Sequence, residues 1–353
     1  MRVSILADDL TSAGDGAAPF GPARVLLAAP AAPQQDGVLA VDLDTRTGGP
    51  ERAAARTADA ARLLGGSGLL LKTVDSTLRG HLAAEIRAAW QGSGRRTAVV
   101  APAFPAQRRT TVRGVQYVAD VPVHRSEFGR DPVHPVRCAD LREILPEALL
   151  TTPDGTLPRL LGAGGLFVGD AATDADLDRL VAAVPDPADV LWVGSPGLAG
   201  ALARRFAPAG PPAAPPQPTA RAPLVVVGSA NPASRRQLAT LLRHVPGARL
   251  LHTPDDRRDP PALLKDLAER AGAQLADGAV DALVVTGGET AAAVLTAAGA
   301  DGFDLLDEPE PGVAQGLLTG PPDFRRVPVV IKAGGFGDDE TLLRLYRRLG
   351  GAA

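Results

Sequence analysis

One cysteine, Cys138, is all the chain has in 353 residues. A disulfide framework within the chain is excluded, and a cysteine-based zinc site has no support. Aromatic side chains are scarce, with eight Phe, two Tyr and two Trp. The cores must therefore be built from Ala, Leu and Val. No apolar run approaches the roughly 20 residues that cross a bilayer. The start, Met1 to Asp9, carries too short an apolar run for a signal peptide. The formal net charge is only −3 and no long basic run occurs, so a nucleic-acid partner is not expected. These absences point to a soluble, cytoplasmic protein with no membrane partner. Its apolar fraction of 45% is enough for real cores, and its length suggests two domains, or three. The sequence carries no signal of oligomeric state.

What is present is organised around Leu69 to His81. Leu69-Leu70-Leu71 reads as the end of a buried strand. Leu82, Ile86 and Ala89/Trp90 recur at helical spacing after it. Between them stand Lys72, Asp75, Ser76, Thr77, Arg79 and His81. Loops at the carboxyl ends of strands in open α/β sheets are where ligands bind. Asp75, Ser76 and Thr77 could also cap the helix, but capping needs neither Lys72 nor Arg79. The stretch reads as a binding loop for a small anion.

Val3 to Ala7 reads as a buried first strand, ending in Asp8-Asp9-Leu10-Thr11-Ser12. An acidic pair there can bind a metal, orient a hydroxyl or cap a helix. Strands are expected at Arg24–Leu27 and Val38–Leu43, the latter leading to Asp44-Thr45-Arg46. An Ala-rich helix over Glu51–Leu64 closes at Gly65-Gly66. Thr97–Ala101 is another strand, running into Pro102-Ala103-Phe104-Pro105, whose prolines fix an extended path. Val115–Val123 reads as a hairpin arm with Asp120 near its turn. Asp131, His134 and Arg137 could line a cleft, although a surface loop is the plainer reading. Further strands are expected at Leu166–Gly169 and Val190–Gly194.

Residues 208–223 are rich in Pro and Ala and read as a stiff linker. Beyond it one pattern occurs three times. Leu224–Val227 ends in Gly228-Ser229. Ala282–Val285 ends in Thr286-Gly287-Gly288-Glu289-Thr290. Val327–Ile331 ends in Lys332-Ala333-Gly334-Gly335-Phe336-Gly337. Each is followed by a helix. Glycines let backbone N–H groups approach a ligand, and helix N-termini favour phosphate. Together the loops, one carrying Lys332, point to a nucleotide phosphate site. None matches a Walker P-loop. An acidic pair with an anion loop in one domain, and a phosphate site in the other, suit phosphoryl transfer.

Ala7-Asp8-Asp9-Leu10-Thr11, Lys72-Thr73-Val74-Asp75-Ser76-Thr77-Leu78-Arg79-Gly80, Ala101-Pro102-Ala103-Phe104-Pro105, Thr286-Gly287-Gly288-Glu289-Thr290-Ala291 and Lys332-Ala333-Gly334-Gly335-Phe336-Gly337 occur in that order. The set resembles the four-carbon acid sugar kinase family. The resemblance implies an α/β chain of two domains with mainly parallel sheets flanked by helices, and an active site in the interdomain cleft. Residues 1–207 would bind a sugar acid, 208–223 would link, and 224–353 would bind the nucleotide. The activity implied is ATP-dependent phosphorylation of the terminal hydroxyl of threonate, erythronate or a 3-oxo-tetronate. Sugar-acid contacts would fall at Asp8, Asp9, Arg46, Lys72, Asp75, Ser76, Thr77 and Arg79. ATP contacts would fall at Ser229, Gly287, Gly288, Glu289, Thr290, Lys332, Gly334, Gly335 and Gly337. Ser12, His81 and Glu289 stand where the family usually has Gly, Asn and Asp.

Turnover is expected to need Mg²⁺, with Glu289 as a direct or water-mediated ligand. The base for the acceptor hydroxyl is expected among the carboxylates, with Asp9 ahead of Asp75. The alternative is a nucleotide- or metabolite-sensing protein of this fold without transfer. Its hint is the altered loop Ala230-Asn231-Pro232-Ala233-Ser234-Arg235.

Overall fold

Arg2–Ala7 (β1) buries five of its six residues, as a strand covered on both faces requires. Leu69–Thr73, Thr97–Ala101, Pro223–Val227 and Ala282–Thr286 are buried throughout. Such strands belong in parallel sheets with helices on both sides. The computed structural model describes residues 2–32, 36–66, 68–131, 134–152, 157, 161–207, 219–228, 231–254 and 260–350. The chain forms two compact units, Met1–Phe20 with Ala29–Ala209, and Gly21–Ala28 with Gly210–Ala353.

In chain order, β1 is followed by α1 (Leu10–Ala17), β2 (Ala23–Leu26), β3 (Gly37–Asp42), α2 (Pro50–Leu64), β4 (Leu69–Thr73), α3 (Leu82–Ser93) and β5 (Thr97–Ala101). Then come β6 (Arg109–Val112), β7 (Val115–Val118), β8 (Val121–Pro122), α4 (Leu141–Ile144) and β9 (Leu149–Thr151). The first unit closes with β10 (Gly165–Gly169), α5 (Asp174–Ala182), β11 (Val190–Gly194) and α6 (Pro196–Phe206). Its strands lie in the order β3, β1, β4, β11, β5, β10, β9, and all pair in parallel. The chain leaves β1 toward β3 on one side and leaves β4 toward β5 on the other. The carboxyl ends of β1 and β4 thus flank a topological switch point, the usual ligand crevice of an open sheet.

The expected hairpin arm is a three-stranded antiparallel sheet, β6, β7, β8. Its turns, Arg113-Gly114 and Ala119-Asp120, have positive φ at all four residues. That is the backbone twist that joins tightly paired strands.

The second unit holds β12 (Pro223–Val227), α7 (Pro232–His244), β13 (Arg249–His252), α8 (Pro260–Ala276), β14 (Ala282–Thr286) and α9 (Gly288–Ala297). It ends with β15 (Gly302–Glu310), β16 (Val313–Thr319), β17 (Pro328–Lys332) and α10 (Thr341–Arg348). The strand order is β13, β12, β14, β17, β16, β15, β2. The first four pair in parallel and the rest antiparallel. Its core is aliphatic, with Val225, Leu241, Val284, Val330 and Leu345 fully or almost fully buried. A second switch point lies between β12 and β14. Among the described residues no helix is long and apolar enough to cross a membrane.

The three strand–glycine–helix units stand where the sequence puts them. Strand β13 and the hairpin β15–β16 were not expected, and the strand expected at Arg24–Leu27 pairs with β15. Of the expected linker, 208–218 lie outside the described residues. The remainder is tied down. Ala220 N–H donates to the Leu349 carbonyl at 2.7 Å, and the N–H groups of Arg221 and Ala222 donate to the Asp281 carboxylate at 2.8 Å each. Pro223 already begins β12.

Gly302 is the point at which β15 accepts β2. A Cβ there would overlap the Val25 carbonyl oxygen. Gly302→Ala should therefore lower unfolding stability by about 1–3 kcal/mol, as overpacking does. Urea denaturation checks this, and a wild-type midpoint would mean that β2 is held elsewhere.

Candidate functional site

At the end of β1 the two acids have different tasks. Asp9 caps α1, its Oδ1 accepting from the Ser12 N–H at 2.7 Å and the Thr11 hydroxyl at 2.9 Å. The Asp8 carbonyl accepts the N–H groups of Thr45 and Arg46, at 3.0 and 3.2 Å. This draws the loop after β3 onto the end of β1. Arg46 then joins both carboxylates. Its Nε donates to Asp8 Oδ2 at 2.7 Å, its Nη1 to Asp9 Oδ2, and its Nη2 to the Ser12 hydroxyl at 2.9 Å. Asp8 is buried, and its Oδ1 has no hydrogen-bond partner among the described residues. Burial pushes the Asp8 pKa up against the pull of Arg46, and Asp9 adds to the rise. Arg46 is held protonated by Asp8 and Asp9 despite its own burial. Asp8 thus offers an oxygen with raised basicity, whereas the oxygens of Asp9 are occupied.

The loop after β4 folds around Asp75. Its Oδ2 accepts the Thr77 hydroxyl, the Arg79 Nε at 2.6 Å and the Arg79 N–H at 3.3 Å. Burial alone would raise the Asp75 pKa, but Arg79 and Arg46 hold it far below the usual carboxylate range. Arg109 contributes in the same direction. Three guanidinium groups therefore gather about one carboxylate.

Lys72, expected to contact the sugar acid, is enclosed near the end of β4. The side chain is 0% exposed. Its Nζ pairs with Glu85 at 2.8 Å and donates to the Thr73 carbonyl at 2.7 Å. Glu85 also accepts the Thr45 hydroxyl at 2.7 Å. Burial would raise the Glu85 pKa, but Lys72 and Thr45 bring it below its ordinary value. Lys72 thus organises the strand end from inside.

The segment after β5 adds residues that were not assigned to the site. Arg109 Nη1 donates to the Ser76 hydroxyl at 2.6 Å. Gln116 Nε2 donates to the Ser76 carbonyl at 2.7 Å. The Phe128 ring lies under both arginines, 5.5 Å from Arg79 Cζ and 5.8 Å from Arg109 Cζ, within cation–π range. Asp131 reaches Arg79 Nη1 at 3.7 Å and accepts the His134 N–H at 2.8 Å. Burial and Arg46 pull the His134 pKa down against Asp131. Asp131 and His134, read from sequence as surface loop, thus adjoin the arginine cluster. His81 Nε2 bonds instead to the Gly48 carbonyl at 2.7 Å. The signal available for Arg109 was its place just after Pro102–Pro105 at a strand end. Glu85 and Phe128 gave none, because partnership across the fold has no local signature.

In the second unit, β12 ends at Val227, Gly228 follows it, and Ser229 lies outside the described residues. A Cβ on Gly228 would overlap the Thr290 side chain, so glycine lets α9 approach. Gly287 has φ of 94° and begins α9 with no side-chain cap. Its N–H donates to the Lys332 carbonyl at 2.8 Å. Glu289 is exposed and Thr290 buried in the first turn.

Lys332 is buried with 0% exposure. Its Nζ donates to the carbonyls of Ala333 at 2.7 Å, Gly334 at 3.2 Å and Phe336 at 3.0 Å. Gly335 is exposed, and Gly337 has φ of 84°. The ammonium, expected from sequence as a ligand contact, thus holds the glycine loop through three of its carbonyls. Among the described residues no group of three or more His, Cys, Asp or Glu could hold a metal.

The family model described as a sugar-binding N-terminal domain matches residues 3–202, and that described as a nucleotide-binding C-terminal domain matches 256–342. A D-threonate kinase of Bordetella bronchiseptica is 36% identical over 400 residues, 97% of this chain and 96% of that protein. A D-erythronate kinase of Heliobacterium modesticaldum is 28% identical over 96% of this chain and 95% of its own. A 3-oxo-tetronate kinase of Methylobacterium radiotolerans is 28% identical over 96% of each. A solved structure from Salmonella typhimurium superposes with a TM-score of 0.81, covering 98% of this chain and 99% of that one. At 21% identity it bears on the fold alone.

Asp42 closes β3 beside this cluster, buried, with the Asp44 N–H donating to its Oδ1 at 2.7 Å. Burial pushes its pKa up to about 7; the Asp44 N–H opposes the rise and Asp9 adds to it. An unfolded Asp titrates near ~3.9. Between the two values the native state binds the extra proton, so this group's contribution to stability falls as pH rises through that window. Asp42→Asn should match the wild type in thermal stability near pH 4 and exceed it near pH 8. Equal differences at both pH values would show that Asp42 does not titrate in the window.

Proposed function

The chain belongs to the four-carbon acid sugar kinase family, and from that membership we propose how its residues divide the reaction. It is a phosphotransferase whose acceptor is an alcohol of a four-carbon sugar acid such as threonate, erythronate or a 3-oxo-tetronate. The observation that supports a division of labour is the pairing of two switch points with opposite chemistry. One gathers carboxylates and guanidinium groups, and the other gathers glycine amides. The reading of a sensor without transfer is not favoured, because the relatives are named kinases.

In this proposal Arg79 and Arg109 take the carboxylate of the acid, steadied by Phe128. Arg46 is engaged by Asp8, Asp9 and Ser12 and holds the acids in place. Asp75, Ser76 and Thr77 orient the substrate hydroxyls. Asp8 Oδ1 takes the proton of the terminal hydroxyl as its oxygen attacks the γ-phosphorus. The bond to the β–γ bridging oxygen breaks and ADP leaves. The phosphates of ATP lie on the N-terminal turn of α9, Gly287–Thr290, and on Gly334, Gly335 and Gly337. Ser229, expected from sequence as a further ATP contact, lies outside the described residues. Magnesium arrives as part of the nucleotide substrate, held by phosphates and water, with the exposed Glu289 as the protein's contribution. We place the enzyme in the cytoplasm, where ATP is supplied.

ADP release over a panel of tetronates and pentonates tests the function, with four-carbon acids as the expected substrates. Asp8→Asn should lower kcat by about 10²–10⁴ with ATP affinity kept. Asn caps a helix as well as Asp does, so Asp9→Asn should stay within about tenfold of wild-type kcat. The opposite ranking moves the base to Asp9.

Removing one charge-assisted contact costs about 1.5–3 kcal/mol. Arg79→Met should therefore raise the KM for the acid by roughly one to two orders of magnitude and leave the KM for ATP unchanged. A rise in the ATP value alone would make Arg79 a phosphate ligand.

A further inference from the structure

Lys72, one residue before the end of β4, and Lys332, the last residue of β17, are both fully buried. Lys72 has Glu85 as its counter-charge. Lys332 has no carboxylate within ion-pair distance among the described residues. Its contacts are three backbone carbonyls. The acid nearest in influence is Glu310 on β15, which is paired with Arg344 at 2.8 Å. Arg344 pairs in turn with Asp338 at 2.9 Å.

A trans peptide directs its C=O and N–H to opposite sides. Lys332 draws in the carbonyls of Ala333, Gly334 and Phe336. The N–H groups of the same three peptides belong to Gly334, Gly335 and Gly337, and they point away from the Lys332 ammonium. Among the described residues these three N–H groups have no hydrogen-bond partner. Of the loop's other N–H groups, that of Ala333 donates to the Gly312 carbonyl at 2.9 Å and that of Phe336 turns back to the Ala333 carbonyl at 3.2 Å. Two further side chains hold the same arrangement. The Ser234 hydroxyl donates to the Gly334 carbonyl at 2.7 Å, and Gln237 Nε2 donates to the carbonyls of Phe336 and Asp338 at 2.9 and 2.8 Å. Such amides with a cation behind them form an anion-binding concavity.

We propose that Lys332 is a positioning residue for the nucleotide's phosphates, which it never touches: it aims the amides of Gly334, Gly335 and Gly337 and supplies the positive charge that the bound phosphates neutralise. This rests on the reading that the second unit binds ATP. A bound phosphate is then the first full counter-charge that Lys332 meets. Burial draws its pKa down to about 8, with Glu310 opposing. An anion close by favours the ammonium again, so binding near that pH takes up a proton.

The test is calorimetry of the whole protein with MgATP at about pH 8.5, in two buffers of different ionisation enthalpy. Wild type should show buffer-dependent heats that correspond to proton uptake. Lys332→Met should show none, bind ATP and ADP roughly tenfold more weakly or worse, and bind adenosine as before. Lys332→Arg keeps the charge but cannot titrate, so its heats should not depend on buffer. Buffer-independent heats in wild type, or a Lys332→Met protein that loses adenosine as fully as ATP, would overturn the proposal. Absence of any ATP binding by wild type would instead remove the nucleotide reading on which it rests.

Discussion

The bond of Arg46 to Asp8 and Asp9 is the interaction on which the first unit's site depends. Two adjacent carboxylates at the end of a buried strand repel each other and lose their hydration. Arg46 reaches both through separate nitrogens and reaches Ser12 with the third. Removing one member of such a buried set typically costs 3–5 kcal/mol, because the others remain as unmatched charge. The arrangement also makes the acids unequal. Asp9 becomes part of α1 through its cap, and Asp8 keeps one oxygen unengaged among the described residues. Acid–base inequality is therefore built by hydrogen bonding, from two identical side chains.

The two units meet a common problem in different ways. Each has a lysine at or next to the end of a central strand, where the following loop must be shaped. In the first unit the lysine is neutralised by Glu85, and its loop is built from side chains: Asp75, Ser76, Thr77 and Arg79. In the second unit the lysine has no acid within ion-pair distance among the described residues, and its loop is built from backbone. Side chains suit an acceptor whose hydroxyls must be told apart. Backbone amides suit phosphate groups, which are alike and strongly charged.

Much of this was legible in the sequence because it is local. Buried strands show as apolar runs, and the residues at their ends show as motifs, so Asp8, Asp75, Arg79 and the three glycine loops could be named in advance. What could not be read depends on which strand lies beside which. Nothing within Ala23–Leu26 says that it pairs with β15. The acids and proline at Asp307, Glu308, Pro309 and Glu310 make that partner look like a loop. Likewise, the burial of Lys72 and Lys332 follows from their neighbours, so both ammonium groups looked available for ligands. Arg109 enters the site only because β6 and the Phe128 turn fold back over Ser76.

Strand β2 also sets a schedule for the growing chain. Arg24 meets Asp304, 280 positions later. At roughly 5–20 residues added per second, Ala23–Leu26 waits on the order of 15 seconds to a minute after synthesis before its partner exists. Throughout that interval its backbone groups are an unsatisfied strand edge, open to pairing with other nascent chains. The alternating exposure of Ala23–Leu26, with Arg24 facing out, places a charge on that edge while it waits. The second unit can finish folding only after the ribosome has passed β15, although part of it was made almost first.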